Sequence, residues 1–180
     1  IPSGMEMMDK ALIHATDNFV KAGYPRDAES MLIVELDGTE SEVDELIDKV
    51  TKIAKQNNSS SIKISKNEKQ RINFWAGRKA AFPACGDMAP DYYCMDGTIP
   101  RGKLAEVLKE IRRLSKKYNL PVANAFHAGD GNLHPLIMYD ANEKNSLEKT
   151  EKFGAEILKY CVKVGGVLTG DHGVGVEKRV

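Results

Sequence analysis

Hydrophobic positions along the chain switch repeatedly between a spacing of three or four residues and simple alternation. Val43, Leu46, Ile47, Val50, Ile53 and Ala54 form a helical stripe, with Ser41 and Asp44 resembling an N-terminal cap at its start. Leu104, Val107, Leu108, Ile111 and Leu114 form a second stripe, opened by Pro100, and Pro121 ends that connection. From about Asn145 to Val164 a third helix turns Leu147, Ile157, Leu158 and Cys161 inward before Gly165 and Gly166 break it. Two further helices are predicted. Met5 to Val20 carries Met8, Leu12 and Ile13 on one face, with Gly23 as terminator, and Asn67 to Ala81 carries Phe74, Trp75 and Arg78. Strand patterns fall between them at Ala28 to Leu36, Ser60 to Ser65, Asp91 to Met95, Val122 to Ala128, Leu133 to Tyr139 and Val167 to Thr169.

The first part of the chain thus reads α, β, α, β, α and the second part βαββαβ, the ferredoxin-like split βαβ pattern. The expected class is α+β, an antiparallel sheet with helices packed on it. The preceding β-α-β would be a partial second copy sharing that sheet. No repeat at a fixed period accompanies it, so duplication is a suggestion of topology alone.

At 180 residues the chain can bury a sizeable core. Charge balances at 26 basic against 26 acidic residues, without a basic patch, so nucleic acid is not an expected partner. The apolar runs fall far short of a membrane span and nothing resembles a signal peptide. Cys85, Cys94 and Cys161 are odd in number and lack CxxC spacing. They fit a reducing, cytoplasmic compartment and leave neither a disulfide framework nor a thiolate zinc site. A chain that starts at Ile1 and stops just after a glycine-rich motif is expected to be a piece of something longer.

Candidate chemistry gathers around two short segments. His127 and His134 flank the turn Gly129-Asp130-Gly131-Asn132. A two-residue hairpin centred on Asp130-Gly131 would set His127 opposite His134 on one face, roughly 5 Å apart at Cβ and within reach of one divalent ion. Asp171 and His172, in Gly170-Asp171-His172-Gly173, offer a third ligand and a proton acceptor on a backbone able to approach closely. In a strand those two side chains would point apart, and paired strand histidines can also be half-buried ring donors bonded to backbone. Two imidazoles and a carboxylate suit Zn²⁺, Mn²⁺ or Fe²⁺ with positions left open, a Lewis acid on which a hydroxy acid could chelate. Zinc and manganese are the expected ions. Arg78 is either a surface cation or a fixed guanidinium for a carboxylate. Asn132 is assigned to the cofactor, although Asx side chains also stabilise such turns. His14 reads as structural or exposed. Gly170 to Gly175 lacks the dinucleotide spacing, so no flavin or nicotinamide site is expected within these residues.

These segments also carry a likeness. His127-Ala-Gly-Asp-Gly-Asn-Leu-His134-Pro and Gly165-Gly166-Val-Leu-Thr-Gly170-Asp171-His172-Gly173-Val-Gly175 resemble the paired motifs of FAD-linked oxidases of the vanillyl-alcohol oxidase type, in their carboxy-terminal substrate or cap domain. Phe74-Trp75-Ala-Gly-Arg78-Lys79 and Pro90 to Pro100 look like the branch of bacterial glycolate oxidase FAD-linked subunits and D-lactate dehydrogenases. The resemblance covers nearly the whole of residues 1–180 and implies a cap domain whose FAD-binding domain lies elsewhere. It implies a divalent metal on His127, His134 and Asp171, His172 as base, Arg78 on the substrate carboxylate, and oxidation of glycolate or a D-2-hydroxy acid to a 2-oxo acid with FAD. It also implies further oxidase subunits and, through them, a peripheral attachment to a membrane.

Two departures accompany the likeness. Asp171 stands where relatives usually carry Glu. Phe82 and Cys94 stand where dicarboxylate-using relatives place polar contacts, which favours a small monocarboxylate. Competing readings are a stand-alone metal hydrolase and a non-catalytic ferredoxin-like binding module.

Overall fold

The computed structural model describes residues 1–176, 178 and 179. Strand β1 (Gly4–Asp9) leads into helix α1 (Lys10–Val20) and strand β2 (Ser30–Glu35), followed by helices α2 (Glu40–Gln56), α3 (Glu68–Lys79) and α4 (Ala81–Cys85). Strands β3 (Asp91–Cys94) and β4 (Gly97–Thr98), helix α5 (Leu104–Tyr118), strands β5 (Val122–His127) and β6 (Asn132–Tyr139) and helix α6 (Ser146–Lys163) complete it. The sheet runs β2-β1-β5-β6-β3, with β4 also on β6, and every pairing is antiparallel. The expected α+β class is found, and both parts of the chain share one sheet.

In the second part, β6 lies between β5 and β3, the arrangement that a split βαβ requires. Its last strand, expected over 167–169, is reduced to one antiparallel bridge between Thr98 and Val167. The first part adds the β1-α1-β2 unit beyond β5.

The helix expected over Met5 to Val20 begins only at Lys10. Residues 4–9 alternate instead: Met7 joins the core on one face of the sheet and Met8 the core on the other. Asp9 then caps α1 by accepting from the Leu12 amide. Methionine favours helices weakly, and pairing with both β2 and β5 overrides that preference. The strand expected over Ser60 to Ser65 does not form. No neighbour pairs with it, and Ile62 and Ile64 stand exposed.

Two apolar clusters sandwich the sheet. One holds Phe126, Leu133 and Ile137 beneath Val107, Ile111 and Leu114 of α5 and Phe153 and Ile157 of α6. Each such side chain contributes about 1.5–3 kcal/mol on burial. The other packs Leu12 and Ile13 of α1 and Ala81 and Cys85 of α4 on Ala123, Ala125 and Leu136. The small alanines of β5 on this second face leave depth at its end, and there the sheet turns polar.

Candidate functional site

Strands β5 and β6 pair with His127 opposite Asn132 and His134 opposite Ala125. The direct His127–His134 pair of a two-residue turn is therefore not formed. The turn takes Ala128 to Gly131, closed by the Asp130 and Gly131 amides, which both donate to the His127 carbonyl. Gly131 sits at φ +80, and a Cβ there would collide with the Ile99 carbonyl. The register differs by two residues from the expected one, and because side chains alternate with period two, both imidazoles keep the same face. Their ring centres lie 5.0 Å apart, edge to face.

On the adjacent strand, Glu6 points to the same face. Its Oε1 lies 2.7 Å from His127 Nδ1, and its Oε2 accepts from Arg78 Nε at 2.8 Å. A carboxylate at Nδ1 places the ring proton there and leaves the Nε2 lone pair outward, the arrangement that orients a metal-binding histidine. Arg78 comes from α3, which is seated by Tyr24: its hydroxyl donates to the Phe74 carbonyl and accepts from the Gly77 amide.

Much of the C-terminal segment is gathered on one residue. Asp96, fully buried after β3, accepts from the Thr169 hydroxyl, from the Gly170, Asp171 and His172 amides, and from Lys178 Nζ. Burial alone would raise its carboxyl. The donors from Thr169, Gly170, Lys178 and His172 outweigh that and hold it well below the usual carboxylate range. Gly170 lies so close to Asn132 that a Cβ would collide with the Asn132 side chain.

This anchoring brings Asp171 over the hairpin. Asp171 Oδ1 is 3.6 Å from His134 Nε2 and 3.7 Å from His172 Nε2, Oδ2 is 3.9 Å from His127 Nε2, and Asn132 Nδ2 donates to Oδ1 at 3.0 Å. His172 stacks on His134 with ring centres 4.8 Å apart. His134 is buried, and desolvation holds it below its ordinary value near 6.5, which keeps the ring neutral at pH 7.

His127, His134 and Asp171 offer donor atoms within 4.8 Å of one another. Bonds of about 2.0–2.2 Å put the donors around one zinc ion roughly 3–3.5 Å apart, so the donors would have to draw together by up to roughly 1.5 Å to enclose an ion. A cavity of about 340 Å³ lined by Thr98, His127, Asp130, Asn132, Gly170 and Asp171 opens on it. Asn132 Oδ1 is buried without a hydrogen-bond partner among the described residues.

The whole chain, residues 1–180, matches the family model described as FAD linked oxidases, C-terminal domain. The chain belongs to this family. It is 53% identical over 178 residues to glycolate oxidase subunit GlcD of Escherichia coli K12, covering 99% of this chain and 36% of that protein. Against glycolate oxidase subunit GlcD of Bacillus subtilis the identity is 32%, covering 99% of this chain and 38% of the relative. A probable mitochondrial D-lactate dehydrogenase of Danio rerio is 26% identical over 97% of this chain and 35% of its own length. This FAD-linked oxidase domain thus spans about a third of the curated relatives it matches. In fold it is similar to 4-ethylphenol oxidase from Gulosibacter chungangensis, with a TM-score of 0.62, 10% identity, and coverage of 93% of this chain and 39% of that one.

Every sequence-predicted site residue of the domain lies in or beside one cluster. Glu6 and Asp96 were not expected there, and Cys94 was expected only as a residue beside the substrate. Glu6 was hidden inside a predicted helix, and the donors that define Asp96 arrive from more than seventy residues away. Cys94 lacks any CxxC partner, yet it lies within ligand distance of His134 and His172.

Proposed function

We propose that this domain forms the substrate side of a flavin-dependent dehydrogenase that oxidises glycolate or a small D-2-hydroxy acid, such as D-lactate, to the 2-oxo acid. The observation that carries the reading is the convergence of His127, His134 and His172 on the Asp171 carboxylate. The names of the relatives, glycolate oxidase subunit and D-lactate dehydrogenase, support it. Family membership favours this reading over a stand-alone hydrolase or a non-catalytic module.

On this reading His127 Nε2, His134 Nε2 and Asp171 hold a divalent cation, zinc or manganese, which would supply Lewis acidity toward the substrate hydroxyl. FAD, held mainly by a separate FAD-binding domain, would supply the hydride acceptor. His172 takes the hydroxyl proton on Nε2, next to Asp171. Glu6 keeps His127 in the tautomer that frees Nε2. Arg78 spends two of its five N–H groups on Glu6 and keeps the others for the substrate carboxylate. Asn132, whose Oδ1 has no hydrogen-bond partner among the described residues, is the residue assigned to the cofactor. Phe82 and Cys94 pack in the apolar cluster beside the site and offer no charge to a second carboxylate, which favours a monocarboxylate.

The partners of this reading are the FAD-binding domain and further oxidase subunits, which would tie a cytoplasmic enzyme to a membrane surface. No helix among the described residues is long and apolar enough to cross one. The test is rapid-mixing flavin bleaching by glycolate and D-lactate in the intact protein. His172→Ala is expected to abolish bleaching nearly completely while FAD stays bound. Unchanged bleaching in that variant refutes the base assignment, and bleaching by neither acid refutes the substrate class.

A further inference from the structure

The histidine cluster has a second side. Cys94 pairs with Leu136 across β3 and β6, so Cys94 and His134 emerge on the same face of the sheet. Cys94, His134 and His172 offer a sulfur and two nitrogens within 4.8 Å of one another. A separate cavity of about 220 Å³, lined by Cys94, His172, Lys178 and residues 173–176, opens on this side. His134 belongs to the donor sets on both sides. It is 2% exposed, and its Nδ1 is buried with no hydrogen-bond partner among the described residues. An unpaired buried ring nitrogen costs free energy, and a ligand that uses this ring offsets it.

We propose that Cys94, His134 and His172 form a second metal seat, selective for thiophilic ions such as Zn²⁺ and Cd²⁺ over Mn²⁺. One thiolate and two imidazoles are a donor set that zinc takes readily, whereas manganese prefers the oxygen-containing set on the other side of His134. A thiol binds a metal as its thiolate, so an ion seated here must displace the Cys94 proton, which selects for strong thiolate affinity. Because His134 belongs to both sets, the two seats exclude each other. An ion on the sulfur side also occupies the His172 lone pair. The consequence for turnover, that an ion seated on the sulfur side silences the domain by taking His134 and His172, rests on the function proposed above. The existence of the seat does not.

The test is X-ray absorption at the zinc edge on the intact protein loaded with one equivalent of zinc, alongside manganese paramagnetic resonance on the same preparation. One sulfur neighbour at roughly 2.3 Å beside nitrogen neighbours is expected. The sulfur signal is expected to vanish in Cys94→Ser and to persist in Asp171→Asn, since Asp171 is outside this set. A zinc shell of nitrogen and oxygen alone in the unmodified protein overturns the proposal, whatever the variants do. A sulfur signal that survives Cys94→Ser overturns it too. Manganese bound through imidazoles together with sulfur-free zinc leaves the proposed function standing and removes the second seat. Sulfur-bound zinc without manganese binding does the reverse.

Discussion

Glu6 presents one carboxylate oxygen to His127 Nδ1 at 2.7 Å and the other to Arg78 at 2.8 Å. Side-chain exposures of 14% for Glu6 and 12% for Arg78 make this an ion pair largely shielded from water. One acidic residue on β1 therefore orients a ring on β5 and a guanidinium on α3. Neither partner can be moved without the other.

Glu6→Ala removes the carboxylate that fixes the His127 tautomer and leaves Arg78 with an uncompensated charge. Metal affinity is expected to fall about 10–100-fold. Manganese titration followed by paramagnetic resonance reads this directly. Glu6→Gln, which keeps an acceptor but no charge, is expected to lose less.

Asp96 governs the pH behaviour of the C-terminal segment. Its unfolded carboxyl titrates near 3.8, and its folded carboxyl lies lower. Between the two values the unfolded state holds more protons, so the stabilisation is complete above pH 3.8 and drains away as acid approaches the folded value. Amide exchange at Gly170 and His172 should therefore stay slow down to about the ordinary carboxylate range and quicken below it. In Asp96→Asn the same amides should exchange fast already at neutral pH.

Gly170→Ala would drive a methyl group into Asn132. The segment must then lift, and Asp171 with it, while the two core clusters stay intact. Loss of bound metal with little change in the unfolding midpoint is expected, measured by elemental content and thermal denaturation on one sample.

Tyr24→Phe deletes one hydroxyl that serves both the Phe74 carbonyl and the buried Gly77 amide. The orphaned amide costs about 1–3 kcal/mol, and α3 loosens at the turn that carries Arg78. A lowered denaturant midpoint should accompany a raised KM for the hydroxy acid in the intact protein.

The long amphipathic helices and the β5–β6 hairpin were legible because α5, α6 and these strands each have an unbroken period. β1 was not. Met5, Met7 and Met8 suit a helix as well as a strand, and only its two sheet neighbours decide between them. Ile62 and Ile64 misled in the opposite direction, since alternation without a neighbour makes no strand. Within the site, His127, His134, Asp171 and His172 stood out because glycine and Asx residues surround them. The wrong turn length did no harm, as an even slip preserves the face. Glu6 and Asp96, and the closeness of Cys94 to two imidazoles, could not be read, because their partners come together only across the finished sheet.

Half of this donor cluster is fixed to the central hairpin, and half rides on a strap tied down chiefly by one buried aspartate. The halves have different lifetimes. The hairpin rings endure as long as the sheet itself, whereas the strap opens with the smaller free energy of a peripheral unit. Local opening of the strap would thus carry Asp171 and His172 away while leaving the two hairpin imidazoles in place.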